Sequence, residues 1–308
     1  MSKRKRILFL ALISLLYLAG CQKGGMEAPN SRVDIQQPGM SRAELPTSES
    51  QSEVANDVSS NKTDLRAVFI TYHMEVANMQ RINQLWPLFE QLVALADEYD
   101  VKLTIQFAPQ WATYVYSRDL LETVYSWEQN GHEIALHHHG PTHKYFDGYT
   151  NQPDIIRTDG WYIQDIPFAG DMADFMDLFA PLSPHQIVTA GMSDESIDWP
   201  GGSVLYFATD SGDSPSKDDL LSTPVEVIHN GYTVIEIYNS GYAIDHLGGE
   251  AVSLVDVEQA LHSATSDQIM GLVLNDNTIE AHFDEVEPLF RLLKVYELNV
   301  QTVKSILD

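Results

Sequence analysis

The residue types best suited to chemistry are concentrated in one segment, which reads Gly-His-Glu-Ile-Ala-Leu-His-His-His-Gly-Pro-Thr-His from Gly131. It places four of the chain's eleven histidines, His137, His138, His139 and His143, within seven positions. Because neutral imidazole is a common ligand of zinc and related ions, the segment predicts a divalent metal site; a polar loop without a ligand and a pH-sensitive patch are the alternatives. On a strand, His137 and His139 would point to one side and His138 to the other. His139 and His143 have the His-x-x-x-His spacing that suits one ion where the loop coils.

The histidines follow a predicted buried strand, whose last residues are Ile134, Ala135 and Leu136. In alternating α/β proteins, ligands and metals bind at that edge of the sheet. Apolar and β-branched runs predict further strands at residues 67–72, 101–107, 186–189, 204–207, 225–229, 233–238, 270–274 and 299–302. Helical spacing of apolar residues predicts helices at residues 79–99, 112–129, 254–266 and 285–296. This alternation indicates a parallel barrel or a doubly wound sheet, and Asn230-Gly231 indicates one antiparallel hairpin.

The first 21 residues have the pattern of a bacterial lipoprotein signal. Four basic residues at positions 3–6 precede an apolar stretch at 7–18 that is short for a membrane span, and Leu18-Ala19-Gly20-Cys21 follows. We expect residues 1–20 to be a cleaved signal peptide and Cys21 to carry the lipid; an ordinary secretory signal and an uncleaved anchor are the alternatives. Gln22 after the cysteine favours the outer membrane in a Gram-negative cell. Cys21 is the only cysteine, which excludes an intrachain disulfide.

The rest of the chain divides into a tether and a domain. Residues 21–64 are rich in Ser, Gln, Glu, Asn, Gly and Pro and contain no aromatic residue, so we expect a flexible tether. Residues 65–308 have a normal size for one α/β domain. The formal net charge is −26. The charged residues of the signal peptide are all basic, so its removal makes the chain still more negative. Such a strongly negative net charge argues against nucleic acid and anionic membrane as partners, so we expect membrane contact through the lipid anchor only.

The segment from Gly131 resembles the second motif of the polysaccharide deacetylase (NodB-homology) superfamily, in which a similar strand leads into a His-x-x-x-His metal pair. Thr71-Tyr72-His73-Met74-Glu75 corresponds to the acidic first motif of that family, and residues 271–274 correspond to its last motif strand. The resemblance covers residues 66–308. It implies a distorted (β/α) barrel of about seven strands with a divalent ion at the C-terminal ends of the strands. Zn²⁺ is the expected ion, with Co²⁺ or Ni²⁺ as alternatives.

The resemblance assigns metal ligation to Glu75 and to the histidines His137, His139 and His143. An apparent insertion of two residues leaves open whether His137 or His139 is the first histidine of the family's pair. His73 stands where the family has its catalytic base, an aspartate, and is expected to act as a neutral base or as a further ligand.

Two departures from the family concern proton transfer and an arginine motif. Asn275 stands where the family has a histidine that protonates the leaving amine, so Asp276 or His282 would have to replace it. The family's Arg-x-Pro is missing near Thr189.

Aromatic residues near the strand ends indicate a saccharide ligand. Trp111, Tyr145, Tyr149 and Trp161 are the predicted stacking platforms, with loop packing as the alternative for each. Asp147 is a candidate to orient a histidine ring by a hydrogen bond.

The predicted function is metal-dependent hydrolysis of N- or O-acetyl groups on an envelope or environmental polysaccharide. One alternative is a catalytically degenerate carbohydrate-binding lipoprotein, which Asn275 and the missing arginine favour. Another is a glycoside hydrolase on a related barrel, which would need two opposed carboxylates such as Glu75 and Asp210.

Overall fold

The computed structural model describes residues 63–143, 145–156, 166–192, 198–209, 217–243 and 251–308. The predictions for the signal peptide, the tether, Cys21, Trp161 and Asp210 therefore lie outside the described residues. Within the described ranges, no helix is long and apolar enough to span a bilayer.

Ten strands and eight α-helices alternate along the described chain. The strands are β1 (Ala67–His73), β2 (Leu103–Phe107), β3 (Glu133–His138), β4 (Thr189–Met192), β5 (Tyr206–Thr209), β6 (Leu221–Ser222), β7 (Val225–His229), β8 (Tyr232–Tyr238), β9 (Ser240–Gly241) and β10 (Ile269–Asn275). The helices are α1 (Met79–Glu98), α2 (Pro109–Ser117), α3 (Leu121–Gln129), α4 (Met172–Phe179), α5 (Leu254–Ser263), α6 (Asp276–Ala281), α7 (Phe283–Val295) and α8 (Val303–Leu307). Short 3₁₀ turns occur at Pro153–Ile155 and Lys217–Leu220.

The strands form one curled sheet that returns to its starting point. Its central order is β10-β1-β2-β3-β4-β5-β8, and all of these neighbours are parallel. β8 continues through Asn239 into β9, which pairs with β10 in parallel. With β8 and β9 counted as one strand, seven strands complete the path. The predicted (β/α) barrel of about seven strands is therefore confirmed.

Alternation along the strands separates two apolar clusters. The larger cluster lies between the sheet and the helices and includes Ile70 and Tyr72 of β1. A smaller cluster contains Phe69 of β1 together with residues of β5, β8, β10 and α8. Because neighbouring side chains of a strand point to opposite faces, the smaller cluster fills the inside of the barrel.

The C-terminal helix closes the end of the barrel opposite to the histidines. The main-chain N–H of Val303 donates to Thr104 Oγ1 at 2.9 Å, and that of Lys304 donates to Glu133 Oε2 at 3.1 Å. Glu133 also accepts hydrogen bonds from the hydroxyls of Thr104 and Thr189. Burial raises the pKa of Glu133, and the hydrogen bonds from these donors partly offset that rise. Because α8 covers the N-terminal ends of β2 and β3, we expect a functional site at the C-terminal ends of the strands.

The sequence predictions do not include the short helices α4 and α6 and differ from the structure in other local details. The helix predicted at 112–129 is two helices, because the chain turns at Asp119, whose φ is 58°. The strand predicted at 299–302 reduces to one bridge between Val68 and Val300. The strand predicted at 186–189 lies slightly later, at β4. The hairpin predicted at Asn230-Gly231 is confirmed by the antiparallel pairing of β7 and β8.

Candidate functional site

Parallel pairing brings the ends of β1 and β3 to one edge of the barrel. β1 ends at His73, which is paired with Gln106 on β2 and Asn275 on β10. β3 ends at His138, so His137 occupies its last inward position and His139 the start of the following loop. Residues far apart in the sequence are thereby collected at the carboxyl ends of the strands, where α/β barrels place their sites.

Three imidazoles and one carboxylate meet at this edge. Nε2 of His137 lies 2.8 Å from Nε2 of His139, which lies 3.3 Å from Oε2 of Glu75. The rings of His73 and His137 have centroids 4.7 Å apart. One potential ligand atom each from His73, Glu75 and His137 lies within 4.8 Å of the others. These three residues form a cluster that could hold a metal ion, and His139 contacts two of them.

The chemistry of this donor set fits a divalent ion. Burial, together with the neighbouring His139 and His143, lowers the pKa of His137 to about 3, although the Glu75 carboxylate opposes the shift. His137 is therefore a neutral imidazole at neutral pH, which is the form that ligates metals. The ring nitrogens of His137 and His139 face each other, and a carboxylate oxygen of Glu75 lies beside them. Such a set of nitrogen and oxygen ligands suits zinc, cobalt or nickel.

His138 and His143 have different surroundings from His137 and His139. The Nδ1 atom of His138 lies 2.7 Å from Asp147 Oδ2, and its ring packs edge-on against Phe175. The predicted alternation of the three consecutive histidines is thus confirmed, because His138 points away from the cluster. His143 stacks on His139 with ring centroids 4.4 Å apart, and its Nδ1 accepts the N–H of Tyr145 at 3.1 Å.

Asp147 holds the main chain of this segment and orients a histidine, as the sequence predicts. Its Oδ2 atom also accepts the N–H of His139 at 3.0 Å, while its Oδ1 accepts the N–H of Tyr149 at 3.0 Å. The N–H of Asp147 donates in turn to the carbonyl of His139 at 3.2 Å. The side chain of Asp147 is fully buried. The histidine that it orients, His138, lies outside the ligand cluster.

The loop of Glu75 is fixed by two residues from other elements. Trp111 Nε1 donates to the Glu75 carbonyl at 2.9 Å. The carboxyl group of Asp276 accepts the hydroxyl of Tyr72 at 3.0 Å and the N–H of Glu75. Burial, with the Glu75 carboxylate nearby, raises the pKa of Asp276 well above its usual value. Asp276, predicted as a proton donor, thus lies beside Glu75 and contacts its main chain.

The residues next to Asp276 are engaged in helix termini. Asn275 caps α6, with its Oδ1 accepting the N–H groups of Asn277 and Thr278 at 2.9 and 3.3 Å. His282 lies at the other end of α6, is half-exposed, and has its Nδ1 3.3 Å from Glu285 Oε1. The Asn275 amide is therefore committed to capping, as expected for an asparagine that begins a helix.

The predicted stacking residues are in three different environments. Trp111 is 0 % exposed and packs among core aromatics, so its ring offers no face to a saccharide and the predicted stacking role is replaced by support of Glu75. Tyr145 is half-buried and lies against His139 and His143. Tyr149 is half-buried and contacts Phe175, on the side of His138.

Sequence reasoning missed Gln110. Its Nε2 donates to the main-chain carbonyl of Asp147 at 2.7 Å. The only signal in the sequence is a polar residue in the first turn after Pro109, at a strand-to-helix connection. Many such residues are solvated, so the pattern alone does not distinguish it.

Comparisons with known proteins concern the fold. Neither a protein-family model nor a curated protein matches this sequence. The 4-alpha-glucanotransferase of Thermococcus litoralis is similar over 78 % of this chain, at 10 % identity and a TM-score of 0.49, but the match spans only 38 % of that enzyme. A protein assigned as a polysaccharide deacetylase from Pseudomonas aeruginosa PAO1 has 13 % identity and a TM-score of 0.49, with 79 % of this chain and 90 % of that chain covered.

A second such protein, from Mycobacterium smegmatis, has 13 % identity and a TM-score of 0.43, with 79 % and 89 % covered. Polysaccharide deacetylases, the class that the histidine segment resembles, are thus among the solved structures to which this chain is similar. Most aligned positions differ, so the chemistry of the site has to be deduced from its own residues.

Proposed function

We propose that this protein is a divalent-metal-dependent deacetylase that hydrolyses N- or O-acetyl groups of an envelope or environmental polysaccharide. The observation that carries the proposal is the meeting of Glu75 with His73, His137 and His139 at the carboxyl ends of the barrel strands. The resemblance of the histidine segment supports the acetylated polysaccharide as the substrate class.

Glu75 and His137 would hold the ion, and either His73 or His139 would complete a set of three protein ligands. Three protein ligands are typical of catalytic zinc sites, which keep one position for water or substrate. A divalent ion supplies Lewis-acid polarisation of an acetyl carbonyl and lowers the pKa of a water molecule. Zn²⁺ is the first candidate, with Co²⁺ and Ni²⁺ as alternatives.

The imidazole that does not ligate would move the proton. A neutral ring nitrogen of His73 or His139 accepts a proton from the attacking water, and the resulting imidazolium returns it to the leaving amine or alcohol. One histidine performs both transfers in serine hydrolases, so no separate acid is required. A mechanism in which one histidine performs both proton transfers does not need an acid at position 275, where the Asn275 side chain caps α6.

Tyr145 is the residue that we propose for contact with the saccharide. Its half-buried ring lies beside His139 and His143, with centroids 6.1 and 5.6 Å away. An aromatic ring next to the reacting groups can pack against the apolar face of a sugar, while the hydroxyl groups of the sugar stay hydrated.

We also propose that Cys21 carries a lipid that anchors the exported protein in the cell envelope, in the outer membrane if the cell is Gram-negative. The basic, apolar and Leu-Ala-Gly-Cys pattern of the N-terminus supports this. Incorporation of an alkyne fatty acid into the wild type, and its loss in Cys21→Ser, is the expected result. Labelling that persists in Cys21→Ser would contradict the anchor.

Acetate release tests the activity. The purified full chain, loaded with zinc, should release acetate from acetylated oligosaccharides; a chelator should abolish release and zinc should restore it. His137→Ala should be inactive under all three conditions. Substrates with only N-acetyl or only O-acetyl groups would identify the bond that is cleaved.

A carbohydrate-binding lipoprotein without turnover is the second candidate, and the capping role of Asn275 favours it. The amide of Asn275 is not acidic enough to protonate a leaving amine, and its oxygen is engaged in capping α6. Saccharide binding without acetate release from the zinc-loaded protein would overturn the deacetylase and leave this candidate.

A further inference from the structure

The first turn of α2 contacts both loops that carry candidate ligands. Trp111 donates its indole N–H to the main-chain carbonyl of Glu75, 2.9 Å away. Gln110, the preceding residue, donates its side-chain amide to the main-chain carbonyl of Asp147, 2.7 Å away. Two adjacent side chains of one helical turn therefore hold the loop after β1 and the loop after β3.

The contact at Asp147 extends to His139. Asp147 is bonded to both main-chain groups of that histidine, because its carboxylate accepts the His139 N–H and its own N–H donates to the His139 carbonyl. Gln110 thus fixes His139 through one intermediate residue, whereas Trp111 fixes Glu75 directly. Glu75 and His139 are themselves 3.3 Å apart at their side-chain oxygen and nitrogen.

We propose that Gln110 and Trp111 are positioning residues that preorganise the metal centre by holding the loops of Glu75 and His139 against the same helical turn. The inference rests on the proposed function, since it concerns the order of that site before an ion binds. Residues that orient ligands without touching the ion change metal affinity by roughly 10–100-fold. Sites held only by loops lose geometry more easily than sites tied to rigid elements.

Packing alone is the competing explanation for Trp111, and the chain offers a matched comparison. Trp86 lies in the same aromatic cluster, with ring centroids 6.3 Å from those of Trp111, and is 4 % exposed. Among the described residues, the indole N–H of Trp86 has no hydrogen-bond partner. Replacement of each tryptophan by phenylalanine therefore removes similar packing, but only at position 111 does it remove a hydrogen bond to a ligand-bearing loop.

The experiment compares Trp111→Phe, Gln110→Met and Trp86→Phe in the full chain. The dissociation constant for Zn²⁺ is measured by chelator competition. We expect Trp111→Phe and Gln110→Met each to weaken zinc binding by roughly 10–100-fold. The zinc dissociation constant of Trp86→Phe should stay within about threefold of the wild-type value, even if its melting temperature falls as much as that of Trp111→Phe. Equal effects of Trp111→Phe and Trp86→Phe would overturn the role of Trp111.

A second measurement is independent of any metal. Hydrogen exchange of the metal-free chain should accelerate in the peptide that contains Glu75 in Trp111→Phe, and in the peptide that contains His139 in Gln110→Met. Unchanged exchange in both peptides would overturn the inference. A wild type that binds none of zinc, cobalt and nickel but shows this exchange pattern would refute the proposed metal-dependent function, whereas the role of Gln110 and Trp111 in holding the two loops would stand.

Discussion

Nε2 of His137 faces Nε2 of His139 at 2.8 Å, although the two residues lie on a strand and on the loop that follows it. At most one of these nitrogens can carry the proton between them, so the pair leaves at least one ring lone pair directed at the other ring. A shared ion would satisfy both nitrogens.

Replacement of a ligating histidine by alanine should therefore remove metal binding. We expect His137→Ala to weaken zinc affinity by more than about 100-fold, which exceeds the range for residues beyond the ligands. A loss of the same size in His139→Ala identifies His139 as the third ligand, and in His73→Ala identifies His73. His143→Ala should cost about tenfold, because its ring stacks on the face of His139. Metal content by mass spectrometry on the purified variants measures this. Full zinc occupancy in both His137→Ala and His139→Ala would disprove the site.

Asp276 offers a test between proton donation and support. Its carboxyl group accepts the Tyr72 hydroxyl and the Glu75 N–H, so we expect Asp276→Asn to retain measurable turnover. A general acid contributes roughly 10²–10⁴-fold to rate. A loss of that size in kcat, with zinc content unchanged and Tyr72→Phe still active, would restore Asp276 as the proton donor. Steady-state kinetics on one acetylated oligosaccharide decide the point.

The buried histidines His132 and His137 should make metal-free stability fall as the pH is lowered through about 6.5, the ordinary pKa of histidine. The buried acids Glu133 and Asp276, whose pKa values are raised, act in the opposite direction. Burial lowers the pKa of His132, whose Nδ1 accepts the Leu103 N–H at 3.0 Å, and burial also lowers that of His137. Both side chains bind a proton less readily in the folded state than in the unfolded state, so the stability that they contribute is fully present above pH 6.5 and is lost as the pH falls below it. Urea unfolding between pH 7.5 and 5 measures the slope.

Relative to the wild type, His132→Gln should lose less stability between pH 7.5 and 5, because one group that gains a proton on unfolding has been removed. A glutamine oxygen can still accept the Leu103 N–H, which keeps the variant folded. An identical slope in the wild type and in His132→Gln would contradict the assignment.

Gly191 and Gly271 should differ in their tolerance of alanine. At Gly191 an added Cβ would collide with the side-chain amide of Gln106, which can rotate away. At Gly271 it would collide with the main-chain carbonyl of Tyr238 and the ring of Phe69, which cannot both yield. We expect Gly271→Ala to cost about 1–3 kcal/mol or more by overpacking, and Gly191→Ala about 1 kcal/mol through the Gln106 hydrogen bond. Melting temperatures of the two metal-free variants check the order, which would be wrong if Gly191→Ala were the less stable.

Local patterns explain why much of the fold could be predicted. The opposed directions of His137 and His138 follow from strand alternation, and the β7–β8 hairpin follows from Asn230-Gly231. The break near Asp119 was not predictable from apolar spacing, because both helices continue the same pattern. The register of the three strands around His73, which are β10, β1 and β2, was equally hidden, since the pairing of β1 with β10 joins positions about 200 residues apart.

The sequence by itself determined which chemical groups this protein has: four histidines after a buried strand, a glutamate after another, and one cysteine in a lipoprotein-like leader. Tertiary structure decided what those groups do together. Trp111 lies 36 positions from the Glu75 carbonyl that it binds, and Asp276 lies 204 positions from the Tyr72 hydroxyl. Such contacts depend on how helices pack against the barrel, which spacing along the chain does not encode. Trp111, which the sequence predicts to stack on a saccharide, is therefore a buried hydrogen-bond donor to the main chain of the candidate metal ligand Glu75.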